Sequence, residues 1–271
     1  MIRIASVAAV CALVIAGCGS SKNDARPATD STAATSTAAS HDMGSMAHSH
    51  DAESGTTPIT ELNGQKVVGV KAHDMQMAMG PDKPLDDATR SKLADELVAA
   101  RAAAMKYPTV AQATAAGFKV AGGFAPGSGA HYIGGPMTTP TGPIDAAHPF
   151  ALIYAGTKPT SRITGLMYYG ISETAPEGFA GPNDHWHRHS NVCLKTGASG
   201  LETPFPADAD VTEAQCKAAG GGLMKVSGWM VHAWVVPSWE SPQGVFSHDN
   251  SNVRCADGTY KTDSAGFCQG V

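Results

Sequence analysis

The chain lacks basic clusters and several familiar catalytic signatures, and these absences narrow its function. Its 19 Lys and Arg are scattered among 24 Asp and Glu, for a formal net charge of -5. Without a basic patch, neither nucleic acid nor an anionic lipid surface is an indicated partner. The sequence also contains no CxxC pair, phosphate-binding loop, nucleotide fingerprint or hydrolase triad signature, which argues against the functions that those patterns indicate.

Long apolar runs are also missing, apart from one at the N-terminus. Arg3 precedes an apolar segment of about a dozen residues, which is too short to span a ~30 Å hydrocarbon layer and is typical of a signal peptide. The sequence Ile-Ala-Gly-Cys that ends at Cys18 resembles the lipobox of bacterial lipoproteins. That resemblance implies removal of residues 1–17 and acylation of Cys18, which would anchor an extracytoplasmic protein to the cell membrane. A soluble secreted protein is the alternative.

Aromatic residues are absent from the next segment, 18–58, which consists mainly of Ser, Thr, Ala, Gly and Asp. Such a composition cannot bury enough apolar surface to offset the entropy of ordering. We therefore expect a disordered tether over 18–58. The remaining residues, 59–271, are enough for a single domain with a sizeable core.

The first part of this domain has a helical pattern. Asp86 or Asp87 can cap a helix that runs to about Lys106. Its apolar stripe at i, i+4, i+7 and i+11 comprises Leu93, Leu97, Ala100 and Ala104. Pro108 can begin a second, short helix that Gly117 ends. The two segments predict an N-terminal helical hairpin.

Beyond Gly122 the pattern changes to that of strands. Turns rich in Gly and Pro separate β-branched and aromatic runs at 150–154, 162–171, 185–194 and 229–236. One further helix is expected over 211–219, capped by Asp210. The predicted class is therefore α+β, with the helical hairpin followed by an antiparallel β-sheet or a β-barrel.

Four cysteines remain after Cys11 of the signal and the acylated Cys18 are set aside. In an oxidising compartment an even number of cysteines indicates disulfides. We favour Cys193 with Cys216 and Cys255 with Cys268, because each pair closes a short loop with Gly and Asp turn residues. A zinc site is the alternative use of these cysteines.

The residues most suggestive of chemistry are the histidines of the segment 185–189. In a strand, side chains alternate between faces, so His185, His187 and His189 would share one face, opposite Trp186 and Arg188. Three imidazoles in register fit an apolar core poorly, because each carries a donor and an acceptor that need partners. Coordination of a transition metal would satisfy them. A solvated, histidine-rich edge strand is the alternative.

Three histidines elsewhere are further candidate ligands. His232 is the only strongly polar residue in the apolar strand 229–236, where it shares a face with Met230 and Trp234. It would complete a three-histidine set if that strand lies beside the histidine-rich one. Taken alone, it is more typical of a hydrogen-bonded core histidine. His248 and His131 follow Gly-rich turns, which let backbone approach a ligand but also simply end strands.

Two family resemblances extend these observations. His185-Trp-His187, followed later by Pro-x-Gly and His248, resembles the metal motifs of cupins and implies a cupin-like β-barrel that holds iron, manganese, zinc or copper. The glutamate that cupins carry after the first His pair is absent. A broader resemblance is to a group of uncharacterised exported bacterial proteins, and it implies extracytoplasmic location without a specific activity. It rests on the segments Gly127–Tyr132, Leu166–Tyr169, His232–Trp234, Gly244–Phe246 and Asn252–Cys255.

The tether adds a hint about which metal is bound. A Met and His cluster spans 41–50, and the later segment 73–79 repeats His-Asp-Met with three alternating methionines. Thioether and imidazole ligands together suit copper, although linker sequence and an edge strand are the plain alternatives.

We therefore expect a lipoprotein that binds copper or zinc for sequestration, delivery or sensing. The alternatives are a cupin-like metalloenzyme, with Glu240, Asp184 and Arg188 near the site, and a metal-free envelope interaction module with a tryptophan-lined groove.

Overall fold

A computed structural model describes residues 82–138, 144–198, 200–207, 209, 211–260 and 267–268, together with the strand backbones at 61–62, 65–66 and 76–77. All of these belong to one compact unit. The expected signal at 1–17, the tether at 18–58 with its Met and His cluster, the lipidation site Cys18 and the proposed cap Asp210 lie outside the described residues. Strands β1 (Glu61–Leu62) and β2 (Gln65–Lys66) pair with each other.

Two helices come before most of the strands. Helix α1 spans Asp87–Met105. Asp86 caps its N-terminus, and the carboxylate of Asp86 accepts a hydrogen bond of 2.8 Å from the amide of Thr89. Its predicted apolar stripe faces the core, with Ala100 and Ala104 fully buried. Helix α2 spans Val110–Ala115 and is capped by a reciprocal Thr and Gln pair at its first turn. Gly117 follows it with a φ of 95°, a conformation that suits glycine.

The main sheet has seven antiparallel strands in the order β3-β8-β12-β7-β6-β5-β4. Its strands are β3 (Gln76–Met77), β4 (Lys119–Val120), β5 (Ala130–Ile133), β6 (Ala151–Tyr154), β7 (Ile163–Gly170), β8 (His187–Arg188) and β12 (Trp229–Ala233). Long strands form where β-branched and aromatic residues are concentrated. The antiparallel sheet is thus confirmed. In the described part of the chain it is open, ending at β3 and β4, rather than closed into a barrel.

The predicted strand over 185–194 is wrong as a single element. It divides into β8 in the main sheet and β9 (Ser190–Gly197) in a three-stranded sheet ordered β10-β9-β11. The two strands are separated at His189, whose amide donates to the hydroxyl of Ser227 at 2.9 Å. Asn191, near the start of β9, has a φ of 57°, which interrupts the regular strand geometry there. The histidine-rich segment thus passes from one sheet to the other.

The small sheet also carries one of the two disulfides. Besides β9 it contains β10 (Gly200–Glu202) and β11 (Gly222–Val226), and helix α3 (Glu213–Ala218) packs on it. Cys193 of β9 is bonded to Cys216 of α3, with their Cα atoms 5.4 Å apart. The second predicted bond, between Cys255 and Cys268, is also present, with a Cα separation of 5.5 Å. Both predicted pairings are therefore confirmed.

Candidate metal centre

Five histidines from distant parts of the chain meet on one face of the main sheet. We call them the histidine cluster: His131, His187, His189, His232 and His248. Ring centroids of neighbouring members lie 4.4 to 6.0 Å apart. Five of the six candidate histidines are thus brought together.

Pairing between strands positions three members. His187 of β8 is held next to β12, where Met230 is its register partner and His232 lies two residues further along the same face. His131 lies on β5, which is separated from β12 by β7 and β6. In a flat sheet three strand spacings would place these side chains about 14 Å apart. Nε2 of His131 nevertheless lies 3.4 Å from Nε2 of His232, so the sheet curves and the cluster occupies its concave face.

The fourth and fifth members come from irregular backbone. His189 lies at the break between β8 and β9. His248 lies in the segment after β12, which runs back along that strand: the amide of Trp234 donates to the carbonyl of Val245 at 2.9 Å. The same segment is tied to the turn before β5, because the amide of Asn250 donates to the carbonyl of Gly127 at 2.9 Å. Tertiary contacts alone bring these two residues to the site.

Burial keeps the innermost imidazoles neutral. His187 is 0% exposed and His232 is 2% exposed. Loss of water around the ring, followed by the neighbouring imidazole of His248, lowers the pKa of His187 well below its usual range. Loss of water, followed by the imidazole of His131, likewise lowers the pKa of His232. Neutral imidazole is the form that binds a metal ion.

Hydrogen bonds to fixed oxygens orient three of the rings. Nδ1 of His187 lies 3.3 Å from the carbonyl oxygen of His185, and Nδ1 of His232 lies 2.6 Å from that of His248. Nδ1 of His248 lies 3.2 Å from a carboxylate oxygen of Asp249. Because these oxygens can only accept, Nδ1 is the donor in all three rings, and the neutral rings of His187 and His232 keep the lone pair on Nε2. Metal-binding histidines are commonly oriented by such acceptors.

The strongest indication of a ligand is at His187. Its Nε2 is buried and has no hydrogen-bond partner among the residues that the structure describes. A buried nitrogen without a partner is unfavourable. In the same part of the chain, the ligand nitrogens of His187, His189 and His248 all lie within 4.8 Å of one another. An ion bound by these three would satisfy the lone pair of His187.

His185 stands apart from the cluster. It lies on the irregular segment that leads into β8, and its Nε2 is 2.7 Å from a carboxylate oxygen of Asp82. Sequence reasoning grouped it with His187 and His189 by alternation, but the structure brings together only the latter two.

Asp249 is the residue that sequence reasoning did not single out. Its position directly after His248 was the available signal, since a carboxylate beside a ligand histidine can orient the ring.

Of the three nearby residues considered for catalysis, Asp184 and Arg188 are engaged in structural contacts. Asp184 is buried and accepts hydrogen bonds of 2.8 Å from Nε1 of Trp186 and 3.0 Å from the amide of Phe179. Burial raises its pKa to about 7. The guanidinium of Arg188 lies 4.5 Å above the ring of Trp229. Trp186 and Arg188 thus have partners of their own and are not members of the histidine cluster.

No helix within the described residues is long and apolar enough to cross a membrane. Comparison with known proteins found no family model, no curated protein and no solved structure that matches this chain.

Proposed function

We propose that this domain binds a transition metal ion through the histidine cluster, for metal sequestration, delivery or sensing. The observation that carries the proposal is the buried Nε2 of His187, which has no hydrogen-bond partner within the described part of the chain and lies beside ligand nitrogens of His189 and His248. Imidazole is the commonest protein ligand for zinc and copper. The orientation of His187, His232 and His248 by oxygen acceptors supports the same use.

One methionine position makes copper a suitable ion alongside zinc. The register places Met230 of β12 opposite His187 on the neighbouring strand. Thioether sulfur is a soft donor that binds Cu(I) in preference to harder ions. A competition between Cu(I) and Zn(II) for Met230→Leu and for the unmodified protein tests this point. We expect the substitution to weaken copper binding more than zinc binding, and equal effects would remove the preference.

The proposed setting is the outside of the cell membrane. The lipobox-like sequence supports acylation at Cys18, and two disulfides suit an oxidising compartment. A Cys18→Ala variant should be released from the membrane fraction or accumulate unprocessed. Retention of the processed variant in the membrane would contradict the proposed anchor.

The two alternative functions have less support. A cupin-like metalloenzyme would need a closed barrel and a free acid or base. The described sheet is open, and the carboxylate of Asp184 accepts a hydrogen bond from Trp186. An interaction module would need tryptophans that line a groove. Of the four tryptophans that this hypothesis uses, Trp186, Trp229 and Trp234 are buried in the core and Trp239 is partly buried, which weighs against such a groove.

Metal analysis of protein without a histidine tag tests the proposal. We expect the domain truncated before Thr60, which removes the Met and His cluster of the tether, to retain zinc or copper after dialysis. His187→Ala should lose the ion, whereas the matched variant His185→Ala should keep it, because His185 contacts Asp82 outside the cluster. Equal metal content in both variants, or none in the truncated domain, would overturn the proposal.

A further inference from the structure

We propose that the histidine cluster holds two metal ions, the second of them between His131 and His232. The inference rests on the proposed function and extends it, because metal binding by His187, His189 and His248 does not require a second position. It predicts a stoichiometry, a set of open coordination positions and a distinct role for His131.

The separation of the two nitrogens matches that of two ligands on one ion. Nε2 of His131 lies 3.4 Å from Nε2 of His232. With zinc to nitrogen bonds of about 2.05 Å, tetrahedral geometry separates neighbouring ligand atoms by about 3.3 Å. A hydrogen bond between the rings would more commonly be 2.7 to 3.2 Å long, by the general range for N–H donors.

The protonation of His232 supports the same reading. Its Nδ1 donates to the carbonyl of His248 at 2.6 Å, so the lone pair of this neutral ring is on Nε2, the atom that faces His131. The ring is therefore held with its donor electrons directed toward the second imidazole. Such an orientation is what a bound ion requires.

A single ion cannot collect all five histidines in this arrangement. Ligand atoms on one ion are at most about 4.2 Å apart, twice a bond of 2.1 Å, when they lie on opposite sides of it. Within the described residues, the group with ligand nitrogens mutually within 4.8 Å contains His187, His189 and His248, and leaves His131 and His232 outside. The cluster thus separates into a three-nitrogen position and a two-nitrogen position.

The two positions are neighbours and differ in the number of ligands. The ring centroids of His187 and His232, one from each position, are 5.2 Å apart, which is close enough for one small oxygen ligand to bridge ions about 3.5–4 Å apart. Two imidazoles leave coordination positions open for water, hydroxide or a small anion. Each position includes one partly buried histidine, His131 in the two-nitrogen position and His248 in the three-nitrogen position.

Native mass spectrometry of the metal-stripped protein, titrated with Zn(II), tests the inference. We expect two ions per chain for the unmodified protein and for His185→Ala, and one for His131→Ala and His131→Asn. A single ion in the unmodified protein, or two in both His131 variants, would overturn the second position and leave the proposed function standing. No bound ion in the unmodified protein would overturn both.

Electron paramagnetic resonance of the unmodified protein with Co(II) gives a test that does not depend on a variant folding. If the second position exists, the second equivalent of Co(II) should reduce the signal per ion, because neighbouring spins couple. A signal that grows in proportion to bound cobalt up to two ions would show that they are not adjacent, and would overturn the inference.

Discussion

Replacing His187 with leucine should make the metal-free domain at least as stable as the unmodified domain, and the domain in saturating metal less stable than it. His187 is fully buried, and its Nε2 has no partner among the described residues. In the metal-free domain that nitrogen opposes folding. Leucine has a similar volume and no polar atom, so it removes this penalty together with the ability to bind an ion with His189 and His248.

The expected differences in the free energy of unfolding between the variant and the unmodified domain follow from two contributions. Removing a buried polar atom without a partner is worth about 1–3 kcal/mol, and the lost hydrogen bond to the carbonyl of His185 offsets about 1 kcal/mol of it. The metal-free His187→Leu variant should therefore exceed the unmodified domain in stability by roughly 0–2 kcal/mol. At the position formed by His187, His189 and His248, a hundredfold excess of ion over its Kd stabilises the unmodified domain by about 2.7 kcal/mol, a contribution that the variant lacks.

Urea unfolding with a chelator, and again with saturating Zn(II), measures both quantities. The matched control is His185→Leu, which leaves the cluster intact and should gain the same stabilisation from zinc as the unmodified domain. The reasoning would be refuted if metal-free His187→Leu were more than about 1 kcal/mol less stable than the unmodified domain, or if zinc stabilised it equally.

Three further outcomes follow from the described contacts. Because burial lowers the pKa of His187 and His232, the unfolded chain binds protons first as pH falls below about 6.5, so the melting temperature without metal should drop between pH 7 and 5. Asp184 behaves in the opposite way: its folded pKa of about 7 exceeds the unfolded value of 3.8, so stability declines as pH rises across that interval. The side-chain oxygen of Asn in Asp184→Asn can still accept both hydrogen bonds. In urea unfolding, the stability of this variant relative to the unmodified domain should therefore increase from pH 4 to pH 7, and a stability difference that does not change with pH would contradict this. Replacing Cys193 and Cys216 with alanine should reduce stability by about 3 kcal/mol, from the 23-residue separation that the bond spans, without changing the number of ions bound in native mass spectrometry.

Residue type was enough to predict most of the candidate site. Imidazoles at 187, 189, 232 and 248 are difficult to place in an apolar core without a ligand, and the strand around His232 is apolar on both faces. The convergence of His131 with His232 was not predictable, because it depends on the curvature of four strands. Trp234 fits over β7 because residue 165 is glycine, where a Cβ atom would come within 2.7 Å of the indole ring.

The strand boundaries show where local patterns mislead. The segment 150–154 is regular and buried on both faces, and its predicted limits nearly coincide with β6. The segment 185–194 has equally strong β character, yet it divides between two sheets at His189, whose amide donates to the hydroxyl of Ser227. Ser227 is 38 residues away in sequence, so no local pattern could have indicated that division. His185 consequently falls beside Asp82 rather than in the cluster.

The dual contact of His248 bears on how fast an ion can leave. Its ring belongs to the three-nitrogen group, while its carbonyl fixes the ring of His232. The segment that carries it is also tied to Gly127, four residues before His131. Displacing this one segment would therefore disturb ligands of both positions together. Release would then be limited by opening of the segment rather than by stepwise loss of single ligands, so a domain of moderate affinity could still retain metal for a long time.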